Sequence, residues 1–451
     1  MLSTFGTVSF ANTPTTFAYC TRILVLSTAC MISHVAIAKI IPWTPNVPSS
    51  LTPFHGHTAL LADLTGDRIF IYPHPKTTVQ LPNAKYAKPR PQAQFYSAAV
   101  ILPVSEAQIK ARLVDYKHYV GLFPTLKSAK LLDAAAGIQQ VKYQVHIPTP
   151  IPILNFKENV TLQHHMTSNS ISSLIVDAPI PYGAGKIEWF ALAPQKTLVT
   201  ITQWGDLNQP KGFLFSKILN ALPEMKLGIP SATNAFVLEA LAAEFKPTHQ
   251  RVILSKVPLT PLLSTMQLQQ IAQLSRQAQQ PVSFVLPKTR LQDESSQENL
   301  RFSTTYHYYP QTNAQLQPWI QAQAAKKLFP TQIKKIELHT LDTQAQQVKY
   351  HLSVGLGVLS IPFDFEMRYV QPTLNQSEFS AIGGDLKHIK GRMQLVQHEQ
   401  GTLLHMTSAM KIHDQAPFLL KAMRSMPYHD MLPALGANTV YALKVQQRLK
   451  K

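Results

Sequence analysis

Leu122-Phe123-Pro124-Thr125, followed by Gln139-Gln140-Val141-Lys142-Tyr143, returns as Leu328-Phe329-Pro330-Thr331, followed by Gln346-Gln347-Val348-Lys349-Tyr350. The register persists beyond these words. Phe156 corresponds to Phe363 at the same 207-residue offset as Tyr143 to Tyr350, and Gly185-Lys186 to Gly391-Arg392 at 206. So few slips over such a length mean one fold written twice. A solenoid unit runs to about 20–50 residues, far less than this period, so each copy is expected to bury its own core.

Ahead of the repeat, Arg22 precedes the apolar run Ile23 to Ile32, and Ala36-Ile37-Ala38 offers small residues of the kind a signal peptidase accepts. Residues 1–38 are read as a cleaved signal peptide. Lipid attachment at Cys30 is the rival, but Ser27 stands where a lipobox wants leucine. The run is interrupted and shorter than the ~20 apolar residues of a membrane span. Cys20 and Cys30 are the only cysteines of the chain, so cleavage leaves no disulfide and no thiolate chemistry. Lys plus Arg number 42 against 24 acids, a net charge of +18, and loss of Arg22 leaves +17. In an exported, periplasmic protein that charge suits peripheral contact with anionic membrane better than nucleic acid.

The mature chain divides into an extended N-terminal arm with one or two strands (39–93), domain 1 (94–247), a linker with helix and strand (248–299) and domain 2 (300–451). Arg68-Ile69-Phe70-Ile71-Tyr72 reads as a strand in the arm, with a twin in Val282-Ser283-Phe284-Val285-Leu286, since Pro-Lys-Thr follows both. Met266 to Gln279 is a glutamine-rich helix candidate, and Asp293 to Asn299 a polar connector. In copy one, Gln94 to Val104 is strand-like. Ser105 then opens a helix to about Leu122, and Val141, Tyr143, Val145 and Ile147 alternate with polar residues as on a half-buried strand. Further strands fit Asn155–His165, Ile171–Asp177, Lys186–Leu192 and Thr197–Trp204. A long helix from Lys211 to Phe245, with a counterpart at Pro417 to Leu449, closes each unit.

Pro103-Val104-Ser105-Glu106-Ala107, Asp115-Tyr116, Tyr119 and Phe123-Pro124 resemble the opening of the START-like, polyketide cyclase and coenzyme-Q-binding superfamily, as does Gly401-Thr402 before the last strand of copy two. The usual tryptophan of its first helix is absent, and copy two carries Gln321-Ala322 in place of Asp115-Tyr116. The resemblance covers roughly 94–247 and 300–451. It implies an α+β fold of two tandem helix-grip domains, each a curved antiparallel sheet wrapped around a long C-terminal helix. It also implies a cavity between sheet and helix for lipids, quinones, sterols or polyketides.

A sheet wrapped around one helix leaves a volume lined by alternating apolar side chains. The candidate ligand-binding residues in copy one are Tyr143, Phe156, Glu158, Val160, Leu162, His164 and Trp189, faced by Phe213, Phe215 and Leu222. Glu158 and His164 fall on the same face as the apolar set, and at the 207 offset copy two has Phe365 in place of Glu158. An inward carboxylate needs a partner or a raised pKa, so Glu158 is read as a head-group anchor or a partner of His164. His55, His57 and the adjacent His164 and His165 lack the spaced carboxylate or cysteine of a metal shell. No nucleophile elbow, P-loop, dinucleotide or zinc-protease motif occurs, so no cofactor or catalytic residue is assigned. The leading expectation is a periplasmic carrier of a hydrophobic small molecule or lipid. The alternatives are a cyclase-like or hydrolytic enzyme using Glu158 and His164, and a non-catalytic envelope scaffold with filled cores.

The signal reading makes one prediction. N-terminal sequencing of protein from fractionated cells is expected to find Lys39 first, in the soluble envelope fraction; a lipidated Cys30 in the membrane fraction would contradict it.

Overall fold

Four apolar residues in a row, Ile69-Phe70-Ile71-Tyr72, cannot be satisfied by one buried face, because side chains alternate along a strand. The computed structural model of the protein resolves this by burying them on both faces. It describes residues 39–147, 156–211, 222–246, 253–292, 297–356, 359–386, 388–413 and 426–450, with 216, 217, 219, 220, 416, 421 and 424. From Ile40 onward the chain forms one compact unit.

The arm supplies helix α1 (Thr58–Thr65), strand β1 (Ile69–Pro73) and a small hairpin, β2 (Thr77–Val79) with β3 (Arg90–Ala93). Copy one follows as β4 (Tyr96–Leu102), α2 (Glu106–Val114), the strands β5 (Leu126–Ala135), β6 (Ile138–Ile147), β7 (Phe156–Met166), β8 (Ser170–Asp177), β9 (Gly183–Ala193) and β10 (Lys196–Gly205), then α3 (Met225–Phe245). Next come β11 (Ile253–Ser255), α4 (Thr265–Ala278) and β12 (Val282–Gln292). Copy two repeats the order: β13 (Gln297–Tyr309), short helical turns, β14 (Ile333–Thr340), β15 (Ala345–Leu356), β16 (Leu359–Thr373), β17 (Gln376–Gly384), β18 (His388–His398), β19 (Gly401–Lys411) and α5 (Leu432–Leu449).

In each copy the six-stranded meander ends beside the first strand: β10 pairs with β4 and β19 with β13, all antiparallel. The sequence places a linker between two separate sheets; the structure instead joins them. Strand β1 pairs with β4 on one side and with β12 on the other, and β12 continues onto β13, giving one 17-stranded sheet. The suspected twins therefore meet in the middle, antiparallel, with Phe70 opposite Phe284 and their rings stacked at 4.8 Å. The physical reason is the edge. Without the arms, β4 and β13 would each present a row of unpaired backbone groups. Of the polar connector, 293–296 lie outside the described residues, and Gln297–Asn299 open β13.

Both faces of the seam are covered. Ile69, Ile71 and Val285 join the core under α3, while Phe70, Tyr72 and Phe284 join the core containing Leu61 and Leu64 of α1 and Ile271 and Leu274 of α4. On the first face α3 and α5 pack against each other, and they do so closely because a Cβ on Gly228 would stand 3.3 Å from the Gly436 Cα. Two asparagines fix these helices to the sheet in the same way. Asn234 donates to the Tyr96 carbonyl (2.9 Å) and Asn438 to the Ser303 carbonyl (3.1 Å), and Tyr96 and Ser303 stand at the 207 offset. A bidentate ion pair of Glu239 on α3 with Arg301 on β13 is almost fully buried, and Lys444 on α5 reaches Glu224 before α3 at 3.1 Å.

Local signals explain several ends. Ser105 caps α2 in a capping box with Gln108, and Ser264 caps α4 with Gln267. The helix expected to run to Leu122 stops at Val114. The Asp115 side chain accepts from the His118 amide and starts a tight turn, and Gly121 takes φ 104°. The closing helices are described from Met225 and Leu432. Phe284 is wholly buried at the seam. Phe284→Ala is expected to cost about 3–5 kcal/mol of unfolding free energy, read by urea denaturation; an unchanged midpoint would mean that the seam does not hold the two copies together.

Candidate functional site

The inner face of the copy-one sheet, the side toward α3, is set by register. Val141 lies opposite Leu162, Tyr143 opposite Val160, Val145 opposite Glu158 and Ile147 opposite Phe156. Burial falls along this stripe: Val141 and Tyr143 are buried, whereas Val145, Leu162, Val160 and Glu158 are half-buried. Trp189, on β9, is wholly buried, and its indole N–H finds no acceptor among the described residues. Leu222 is half-buried ahead of α3. Phe213 and Phe215 lie outside the described residues, and Phe156 is placed here only by its ladder position.

One polar cluster interrupts the apolar face. His164 is buried, its Nε2 lies 2.9 Å from the Tyr143 hydroxyl, its Nδ1 2.8 Å from the Ser173 hydroxyl, and its ring stacks on Tyr116 at 4.3 Å. The Tyr116 that resembles a family motif in the sequence thus forms one wall of this cluster. Tyr119 packs beside it and donates to the Leu113 carbonyl, which fixes the turn after α2. Sequence reasoning found His164 but not Ser173, because a serine on a strand carries no local signature. His165, one residue on, points to the opposite face and meets Trp43 of the arm edge-on.

Glu158 does not pair with His164. Six residues along one strand separate them by roughly 20 Å, and both imidazole nitrogens are engaged elsewhere. The match between Glu158 and Phe365 also changes. In copy two Tyr350 lies opposite Phe365, and Leu352 opposite Phe363. Since Tyr143 answers to Tyr350, Phe365 takes the place of Val160, and Phe363 that of Glu158. The offset drops from 207 to 205 because β15 and β16 meet in a tighter hairpin than β6 and β7. The same register puts Tyr369 in the place of His164, and the pairing is kept: the Tyr350 hydroxyl lies 3.1 Å from that of Tyr369. Copy two has its own half-buried apolar row, Phe365 stacking on Tyr350 at 5.1 Å with Phe363 and Leu352 beyond.

Burial decides the charge of these groups. Desolvation lowers the His164 pKa to about 3 and raises those of Tyr143 and Tyr350 far above the ordinary tyrosine value, so all three are neutral near pH 7. Each inner face therefore offers neutral hydrogen-bonding groups in an apolar surround. Among the described residues no group of three or more His, Cys, Asp or Glu side chains is placed to hold a metal ion.

No protein-family model matches the chain, and no curated protein matches it. Solved structures similar to it include the di-domain ARO/CYC StfQ from the steffimycin biosynthetic pathway (9% identity, 79% of this chain and 99% of that one, TM-score 0.25). Others are a START superfamily protein from Mycobacterium smegmatis (14% identity, 34% and 97%, TM-score 0.26) and a STAR-related lipid transfer protein from Xanthomonas axonopodis (13% identity, 38% and 95%, TM-score 0.27).

The buried histidine gives a pH dependence. An unfolded histidine titrates near 6.5, so the stability that neutral His164 contributes is fully present above that pH and is lost as pH falls toward 3, at about 1.4 kcal/mol per pH unit. His74, buried and lowered to about 4, His307, buried and lowered to about 3, and the half-buried His405, lowered to about 4, act in the same direction. Thermal melts from pH 7 to 4.5 are expected to show a smaller loss for His164→Gln than for the parent protein; parallel curves would show that His164 takes up a proton without cost.

Proposed function

We propose that this protein is a tandem helix-grip carrier of a hydrophobic small molecule or lipid, held between the inner face of a curved sheet and the long helix, and that it works after export to the periplasm. The observation that carries the binding reading is the burial gradient on the inner faces. In both copies the apolar stripe continues past the fully packed residues, Val141 and Tyr143 or Val348 and Tyr350, into side chains left half-open, Val145, Val160 and Leu162 or Leu352, Phe363 and Phe365. Half-open apolar surface at a concave face is retained against its hydration cost when something apolar covers it in use. Neutral Tyr143–His164 and Tyr350–Tyr369 pairs nearby suit a guest hydroxyl or carbonyl rather than a charged head.

Export is supported by the sequence of residues 1–38, and the positive charge of the mature chain supports transfer at an anionic membrane surface. A carrier fits better than an acid–base enzyme, because His164, on the inner face of copy one, is neutral, bonded at both nitrogens and far from Glu158.

The copies differ at one testable position. Val160→Phe installs the ring that copy two carries at Phe365, and it narrows the open end of the copy-one face. Displacement of the fluorescent probe N-phenyl-1-naphthylamine is expected to show copy-one binding weakened about fivefold or more, roughly 1 kcal/mol, with the melting temperature within a few degrees of the parent. Unaltered probe binding in a folded Val160→Phe protein would move the guest away from this face.

A further inference from the structure

A cavity lies at the seam, on the α3 side and away from the half-open β6–β7 and β15–β16 ends of the inner faces. Strand β12 pairs with β1 only as far as Val285; a bulge containing Pro287, which has no N–H to give, then swings it away, and from Thr289 it pairs with β11. The sheet opens there, at the start of β1 and the end of β4, beneath the C-terminal turns of α3. The opening holds about 450 Å³, within the range of small-molecule sites. At the corresponding end of copy two, Gln446 of α5 donates to the Gln279 carbonyl (3.3 Å) and Lys450, just after the helix, to the Gln279 side-chain oxygen (3.2 Å).

Five cations line this cavity, Arg68, Lys196, Lys246, Lys288 and Arg301, against two carboxylates, Asp67 and Glu239. Not all are available. Arg301 is held by Glu239, and Lys288 lies 3.7 Å from Asp430. Arg68 is different: its guanidinium donates to the Leu64 (3.2 Å) and Thr65 (3.4 Å) carbonyls and lies over the Phe284 ring, and no carboxylate pairs with it among the described residues. Lys246, the C-cap of α3, donates its backbone N–H to the Ala242 carbonyl (2.7 Å), but its half-buried ammonium makes neither a hydrogen bond nor an ion pair among the described residues. Two partly desolvated cations share one opening, neither forms an ion pair among the described residues, and the carboxylate that acts on both, Asp67, is itself exposed to solvent. A buried unpaired charge is costly, and an anion is the group that relieves it. Between the cations the wall is apolar, from Ile69, Val100, Ile101 and Val285.

We propose that this seam cavity binds an anionic amphiphile, a carboxylate or phosphate head on an alkyl chain, with Arg68 and Lys246 receiving the head and the apolar wall the first part of the chain. The site is separate from the half-open β6–β7 and β15–β16 ends of the inner faces.

Titration calorimetry of the full mature chain with palmitate, dodecyl phosphate, hexadecanol and inorganic phosphate tests this. Palmitate and dodecyl phosphate are expected to bind at the seam, read as the binding that Ile101→Trp removes, their ratio showing which head is preferred, with hexadecanol and inorganic phosphate each at least about tenfold weaker in that component. Lys246→Met is expected to weaken both anionic amphiphiles about tenfold and leave hexadecanol unchanged. Ile101→Trp, which fills the cavity without touching a charge, is expected to abolish the same binding, so the result does not hang on one variant folding. Val160→Phe reports on the inner face alone and is expected to leave it intact. In the component that Ile101→Trp removes, hexadecanol binding as tightly as palmitate or inorganic phosphate as tightly as dodecyl phosphate would overturn the proposal, as would no binding of either amphiphile, or binding unchanged in folded Lys246→Met and Ile101→Trp.

Discussion

Everything in this molecule is arranged around the antiparallel pairing of β1 with β12, with Phe70 stacked on Phe284 at its centre. Each arm strand is apolar on both faces, and each would be an aggregation-prone edge if left unpaired. Paired to each other and to the first strands of the two copies, they make the sheet continuous and give both helical layers a common floor. The Gly228–Gly436 approach and the Glu239–Arg301 pair are consequences of that geometry, since both cross from one copy to the other. Removing only one partner of such a buried ion pair would leave an uncompensated charge, which makes the pair a specifier of the arrangement more than a source of net stability.

The seam also divides labour between regions. The packed ends of the inner faces, near β4 and β13, belong to the core that holds the molecule together. The far ends, at β6–β7 and β15–β16, are where apolar side chains stay partly open. The proposed binding face lies at the less constrained end of a sheet whose other end is fixed, where packing leaves the room for a guest that well-packed regions lack.

Much of this was legible in the sequence. The repeated words around Phe123 and Phe329, the twin strand candidates at Ile69 and Val282, the helix opener Ser105 and the glutamine-rich run from Met266 each mark an element that the structure contains. What was not legible is pairing between distant strands. Two matching apolar runs announce strands buried on both faces, but not that they bury each other. The equivalence of Glu158 and Phe365 failed for a related reason: an offset counted along the chain cannot see a hairpin that is two residues tighter, whereas the Tyr143–His164 and Tyr350–Tyr369 pairs reveal the true register. Ser173 was invisible for want of any local pattern, and the seam cavity depends on a bulge that only the ladder shows.

The central claim is that the half-open inner faces are covered by an apolar guest. The most direct measurement is mass spectrometry of the organic extract of protein purified natively, without detergent, from its own cells. The account predicts a hydrophobic small molecule or lipid recovered in roughly stoichiometric amount and absent from protein refolded from denaturant. A clean extract, together with no uptake from lipid vesicles by the refolded protein, would contradict it.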